Sequence, residues 1–442
     1  MDYRRLADGV AKAIADGRLL PGDRLPPQRT FARRHRVAVS TAIRAYGELV
    51  RRGLVVGEVG RGTFVRAAPP HPGSVLAEDS GRTPVNLELN YPVADGQSEL
   101  MARGLTALTR PDVLLEATRP AAADGTPAAR AAAARVLARP GWSPAPDGLL
   151  FAANGRAAIA AALSALVRPG GRVGVEELTY PLVKAVAERL GSTLVPIGTD
   201  GSGLLPSALA AAHRRTPLSA VYVQPTLHNP LSLTMPGGRR EELAVVLREL
   251  GLAAVEDTTW AFLAGPDTPA PLAAYAPERT LLVDSLSKRL APGLTVGFLS
   301  VPEAYGEGVA RALRSGAWTA GRFNLEAAVR WVEDGTVEAV TAAKRAEAGA
   351  RQALVTRHLG AFTVRVDPCS YYCWWELPSP WRAETFVAAA AAELGIAVTP
   401  GSAFAVGTGS APDAVRVGLA SPSRGVLDAA LERLAGLAVR GG

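Results

Sequence analysis

With 442 residues the chain is too long for one small module, and length alone suggests two or three folding units. Apolar side chains make up 48% of it, enough for a sizeable core, and glycine and proline are scattered in a way that fits tight turns better than disorder. The net charge of +7 is modest at this length, but Lys and Arg crowd into the first 66 residues, where Asp and Glu are few; a basic excess confined to one segment points to a nucleic-acid partner.

The opening residues Met1-Asp2-Tyr3-Arg4-Arg5 are not followed by the apolar core of a signal peptide, and no apolar stretch is long enough to span a bilayer, so no membrane partner is expected. Cys369 and Cys373 stand four apart in an aromatic run that reads as a strand, too far apart for a disulfide. Two buried free thiols and a reducing cytoplasm are the expectation, and no metal site is expected.

Leu6, Val10 and Ile14, with Ala13 alongside, fall at helical spacing and predict a first amphipathic helix over 3–16. A second helix should begin near Pro27 and turn Phe31 and Ala32 inward. A third is expected over about 40–52, burying Ile43, Tyr46, Leu49 and Val50. Two β-like stretches follow, 54–58 and 63–66, joined by a tip at Gly60-Arg61-Gly62. Three helices and a hairpin make a winged helix-turn-helix.

The spaced elements Pro21-Gly-Asp-Arg-Leu-Pro26, Ala45-Tyr46-x-x-Leu49, Arg52-Gly-Leu-Val and Gly60-x-Gly-Thr-Phe-Val65 resemble the GntR family of DNA-binding modules. The resemblance implies that the third helix enters the major groove of an operator, with Arg29, Ser40, Thr41, Arg44 and Arg61 as DNA contacts. One departure stands out. Where the family opens the recognition helix with Ser-Arg, this chain has Ala38-Val39, so the usual cap and base-reading arginine are missing unless Ser40 caps instead.

Residues 67–83 lose periodicity and gather prolines, which reads as a semi-extended linker between units 1–66 and 84–442. Beyond it the pattern is α/β: apolar runs at 149–151, 172–175, 219–223, 253–256, 280–283 and 296–301 alternate with helical stretches such as 157–167 and 239–250. A mostly parallel sheet with helices on both faces follows, and ligands of such sheets gather at the carboxyl ends of strands.

Motifs stand at those ends in one order. Asn154-Gly155-Arg156-Ala157 opens a helix whose amides suit a phosphate. Tyr180, His228-Asn229-Pro230 and Glu256-Asp257 come next, then Asp284-Ser285-Leu-Ser287-Lys288-Arg-Leu-Ala-Pro-Gly293, and later Pro400-Gly401-Ser-x-Phe404 and Ala414-Val-Arg416-Val-Gly. The set resembles fold-type I aminotransferases over nearly all of 84–425. That resemblance implies pyridoxal 5'-phosphate as cofactor, with a large domain and a small C-terminal one. Lys288 would form its Schiff base, Tyr180 would lie on its ring, Asn229 would bond its phenolic oxygen and Asp257 its ring nitrogen. Gly155, Arg156, Trp260, Ser285 and Ser287 complete the cofactor set, and Arg416 would pair with the carboxylate of an amino compound.

Three positions break the family pattern: Trp260 replaces a tyrosine, Thr295 replaces the phosphate-clamping arginine, and Leu231-Ser232 replaces Thr-Gly after Pro230. Arg156, where a small residue is usual, is expected to restore the charge lost at 295. The aromatic run Tyr371-Tyr372-x-Trp374-Trp375 reads as packing of the small domain rather than effector contact. Together the two halves resemble the MocR subgroup of GntR regulators, which implies a head-to-tail homodimer that senses pyridoxal phosphate or an amino compound. A working aminotransferase carrying a DNA-binding appendage, and a scaffold that has lost its cofactor, are the alternatives.

Overall fold

A computed structural model describes residues 3–15, 18–19, 23–51, 54–58, 62–65, 83–407 and 411–440. Near the N-terminus three helices, Tyr3–Ala15, Gln28–His35 and Val39–Arg51, pack around Leu6, Val10, Phe31, Ala42, Tyr46 and Leu49. The second helix starts directly after Pro27, whose fixed φ suits a helix entrance, and Arg36 in the left-handed region ends it. The Tyr46 hydroxyl donates to the Pro26 carbonyl at 2.5 Å, and its ring meets Phe31 edge-on. Strands Val55–Glu58 and Gly62–Val65 form the expected hairpin, and Arg24–Leu25 adds a third strand against Gly62–Val65 that the sequence pattern had not suggested. Two residues are, however, turned the other way from expectation. Ile43 is 51% and Val50 42% exposed, because the inward stripe runs through Ala42, Ala45, Tyr46 and Leu49. At about 100° per residue, one step from Ala42 carries Ile43 to the outer face.

The 67–83 connection lies, except for Thr83, outside the described residues. Beyond it, seven strands form one sheet in the order Leu149–Ala152, Gly297–Ser300, Thr280–Ser285, Ala253–Asp257, Ala220–Val223, Arg172–Glu176, Thr193–Ile197. Only Gly297–Ser300 runs antiparallel to its neighbours. Helices cover both faces, so the central strands are buried throughout and read as unbroken apolar runs. The edge strand Thr193–Ile197, partly exposed and carrying Pro196, which a sheet tolerates at its edge, was not among the predicted strands.

The helix Thr336–Leu359, 24 residues or about 36 Å long, leads out of this large domain into the small one. There Val364–Arg365, Tyr372–Glu376, Ala414–Gly418 and Thr399–Pro400 form an antiparallel sheet backed by the helices Ala383–Ala389 and Arg424–Arg440. Trp375 fills that core, as the packing reading of the aromatic run requires. Cys373 is buried in the strand while Cys369 precedes it and is partly exposed; both are free. The short strand Val85–Asn86 pairs with Ile396–Ala397 and starts a loop that runs into the cleft between the domains. Among the described residues no helix is long and apolar enough to cross a membrane.

Candidate functional site

At the carboxyl ends of the parallel strands lies a cavity of about 420 Å³. Strand Thr280–Ser285 delivers Lys288 to it through a single helical turn, Leu286–Arg289, whose first amide region is capped by the Ser285 hydroxyl. The Lys288 ammonium donates to the Asn90 carbonyl at 2.7 Å and sits between two aromatic faces, 4.1 Å from the Tyr91 centroid and 5.3 Å from that of Trp260. Burial, with smaller help from the positive charges of Arg156, Arg416 and Lys344, lowers its pKa from 10.5 to about 7. A lysine so tuned is in part a free amine at neutral pH, the form that attacks a carbonyl.

Asp257 ends the neighbouring strand and enters the same cavity. Its Oδ2 accepts from the Tyr222 hydroxyl at 2.6 Å and from Gln224 at 3.1 Å, and its Oδ1 from the Thr259 amide at 2.9 Å. Burial nevertheless raises its pKa, outweighing these donors. The adjacent Glu256 points to the opposite face, where it accepts from the amides of Leu272 and Ala273. Strand alternation thus decides which of two neighbouring carboxylates faces the cavity.

The helix Gly155–Leu166 presents its N-terminus to the opposite wall, with Asn154 Oδ1 accepting from the Ala157 amide at 2.9 Å. A Cβ at position 155 would stand 3.1 Å from the Ser285 hydroxyl oxygen, a tight contact that glycine avoids. Arg156 lines the cavity close enough for its charge to act on Tyr180 and Lys288. Thr295 is buried, and its hydroxyl lies 2.9 Å from that of Ser287. A hydroxyl pair therefore occupies the place where the aminotransferase pattern has an arginine.

From the small domain comes Arg416, on strand Ala414–Gly418. Its guanidinium donates to Asn229 Oδ1 at 3.4 Å, to Thr399 Oγ1 at 3.2 Å and to the Glu88 carbonyl, while its Nε, buried, has no partner. Tyr180 precedes the helix Pro181–Arg189 and lines the cavity as a neutral phenol, its pKa pushed up to about 12 by burial. Trp260 packs edge-on against Tyr372 at the same wall. Ser232, where the family has glycine, takes a left-handed φ of 56°, and its hydroxyl donates to Ser370 Oγ or the Tyr372 carbonyl.

Gly155, Arg156, Tyr180, Asn229, Asp257, Trp260, Ser285, Ser287, Lys288 and Arg416 thus all line one cavity. Sequence pattern missed several neighbours. Gln224 and Tyr222 sit at a strand end and were within reach of the rule about carboxyl ends. Asn90 and Tyr91 arrive on an irregular loop, and Lys344 on a helix 56 residues further along the chain, with no local signal for either.

In the N-terminal module Arg29 is exposed on the second helix, and Ser40, Thr41 and Arg44 lie in the first turns of the third, of which Ser40 and Arg44 are exposed. Arg61 lies outside the described residues. Ser40 does not cap this helix. The helix begins at Val39, and the Ala38 carbonyl accepts from the Ala42 amide, which places Ala38 at the cap and Ser40 inside the first turn.

Residues 2–65 match the family described as Bacterial regulatory proteins, gntR family, and residues 116–434 match Aminotransferase class I and II. Over 438 residues the chain is 31% identical to the uncharacterized HTH-type transcriptional regulator YdeF of Bacillus subtilis, covering 95% of this chain and 90% of that one. It is 26% identical over 308 residues to the HTH-type pyridoxine biosynthesis transcriptional regulator PdxR of Corynebacterium glutamicum, covering 67% and 65%. The fold matches that of LysN, the α-aminoadipate aminotransferase of Thermus thermophilus, with a TM-score of 0.73 at 21% identity over 83% of this chain and 94% of that one. A gntR module followed by an aminotransferase domain, in a chain alike from end to end to a transcriptional regulator, places this protein in the MocR subgroup of GntR-family transcription regulators.

Proposed function

We propose that this regulator holds pyridoxal 5'-phosphate at Lys288 and uses the cavity to sense that cofactor or an amino compound joined to it. The units are taken as 1–66 for DNA, 67–83 as connection and 84–442 for the effector. The observation that carries the reading is that one cavity gathers an amine of low pKa, a buried carboxylate and a carboxyl-gripping guanidinium. The residues fit the group. The Gly155 turn brings backbone close to Ser285, where a Cβ would be a tight fit, and the buried Arg416 Nε lacks a partner that a bound carboxylate would provide.

When bound, pyridoxal phosphate supplies an aldehyde and an electron-accepting ring. The chain's own residues do the rest. Lys288 offers its amine, and Asp257, held by Tyr222, Gln224 and Thr259, presents a fixed carboxylate. Gly155, Ser285, Ser287 and Arg156 would hold the phosphate, with Arg156 supplying the charge absent at Thr295. Tyr180 and Trp260 would flank the ring, and Asn229, which accepts from Arg416, would also bond it. Arg416 takes the effector's carboxylate through Nε and one terminal nitrogen. Ligand and DNA communicate within a head-to-tail homodimer in which Arg29, Ser40, Thr41, Arg44 and Arg61 face the operator. A ligand shifts such an equilibrium only by its difference in affinity between the two states.

The test is spectroscopic and functional together. Full-length protein mixed with pyridoxal phosphate turns yellow and Lys288→Ala does not; the set of DNA fragments it retains, read by sequencing, differs with and without the cofactor. A colourless parent protein would sink the sensing role. Retention of Lys288, Asp257, Asn229 and Arg416 also favours a second reading, residual transaminase chemistry. Many turnovers of amino acid to keto acid would promote it.

A further inference from the structure

On the outer face of the helix Val39–Arg51, Val39 and Ile43 stand one turn apart, 43% and 51% exposed. Solvent-facing helix positions ordinarily carry polar, unbranched side chains, and β-branched apolar ones are both poor helix formers and poorly hydrated there. The core does not need them, being filled from the opposite stripe by Ala42, Ala45, Tyr46 and Leu49. Around them the surface is cationic. Arg44 shares the face, and Arg29, Arg33 and Arg34 stand exposed on the adjoining helix, where no carboxylate pairs with them among the described residues.

That charge opposes a second copy of the same face and complements a polyanion. On the major-groove edge of DNA, apolar side chains have one specific partner, the C5-methyl group of thymine. Residues in the first turns of a recognition helix are those that reach base edges. Four residues rise about 6 Å, close to two base steps of roughly 3.4 Å each.

We infer that Val39 and Ile43 read thymine methyl groups, so that each operator half-site carries A·T pairs about two steps apart, while the arginines anchor the phosphates. This rests on the reading that the module grips DNA, and the test separates the two. Full-length protein selects duplexes from a random-sequence pool, and each thymine of the recovered site is replaced in turn by deoxyuridine, which removes only the methyl. Burial of one methyl predicts a loss of roughly fourfold in affinity at one or two positions per half-site. In Val39→Ala and Ile43→Ala, thymine and uracil should bind equally at the matching position. Both substitutions sit on a solvent face and raise helix propensity, so the fold is kept.

A recovered site without thymine at such spacing, equal affinity for uracil in the parent protein, or a uracil effect that survives both substitutions each overturns the methyl contact. Absence of any salt-sensitive retention by the parent overturns the DNA reading itself. A change of oligomeric state in Ile43→Ala, with DNA affinity unaltered, assigns the stripe to chain–chain contact and overturns the inference as well.

Discussion

Lys344 holds Lys288 by its backbone: the buried Lys344 ammonium donates to the Lys288 carbonyl at 3.1 Å and to the Leu290 carbonyl at 2.6 Å. The carbonyl of Lys344 in turn accepts from the Tyr371 hydroxyl, just ahead of the central strand of the small domain. Further along the same helix Gln352 donates to the carbonyls of Ser370 and Tyr372, and Arg351 to those of Leu419 and Pro422. The turn that carries the amine is therefore tied to the small domain through one rigid rod, which gives any displacement of that domain a route to Lys288.

Lys344→Met should take from the Lys288 carbonyl its Lys344 donor and leave the Leu290 carbonyl with Gln97 alone, a cost of about 1–3 kcal/mol. Thermal denaturation would record it as a clear fall in Tm. A purely structural loss would go no further. Because the Lys344 charge also lowers the Lys288 pKa, its removal should move the pH midpoint of colour formation with pyridoxal phosphate upward, and Lys344→Arg should move it back. An unchanged midpoint counts against the link.

Lys288 has its pKa lowered to about 7, so the reactive free amine dominates above that pH and the ammonium below it. The rate of colour formation should level off above about pH 7 and fall towards tenfold per unit well below it. A lysine at the ordinary 10.5 would instead keep gaining rate through pH 8 to 10. Stopped-flow absorbance across that range distinguishes the two.

Arg156→Ala tests whether charge on the helix side replaces what Thr295 cannot give. Loss of a charge-assisted phosphate contact of about 1.5–3 kcal/mol corresponds to a roughly tenfold to hundredfold weaker cofactor. Equilibrium dialysis measures it. A change of less than twofold removes Arg156 from the phosphate site.

Asp257→Asn keeps the shape and two oxygen-accepting contacts at most, yet removes the negative charge. Cofactor affinity should drop, and Tm should fall too, since the new NH2 must face either the Thr259 amide or the Tyr222 and Gln224 donors. Equal affinity in the variant would separate Asp257 from the ring.

Arg416→Lys should leave the colour with pyridoxal phosphate intact and weaken the spectral response to amino compounds at least tenfold, because one ammonium cannot replace a planar fork. Titration with a panel of amino acids against the preformed yellow protein reads the two effects separately.

The sequence by itself determined the winged module, the central strands and the order of motifs at their ends. Those features are local: helical spacing in 3–15, a proline at a helix start, and apolar runs such as 253–257 that only a strand covered on both faces can use. Tertiary structure alone decided that Asp257 rather than Glu256 faces the cavity and that Ile43 looks outward; neighbouring residues differ there by one step of backbone rotation, and composition does not record which side the core lies on. It also brought Asn90 and Lys344 to Lys288 from 198 and 56 residues away, contacts made through backbone carbonyls, which every residue type possesses and no motif can therefore mark.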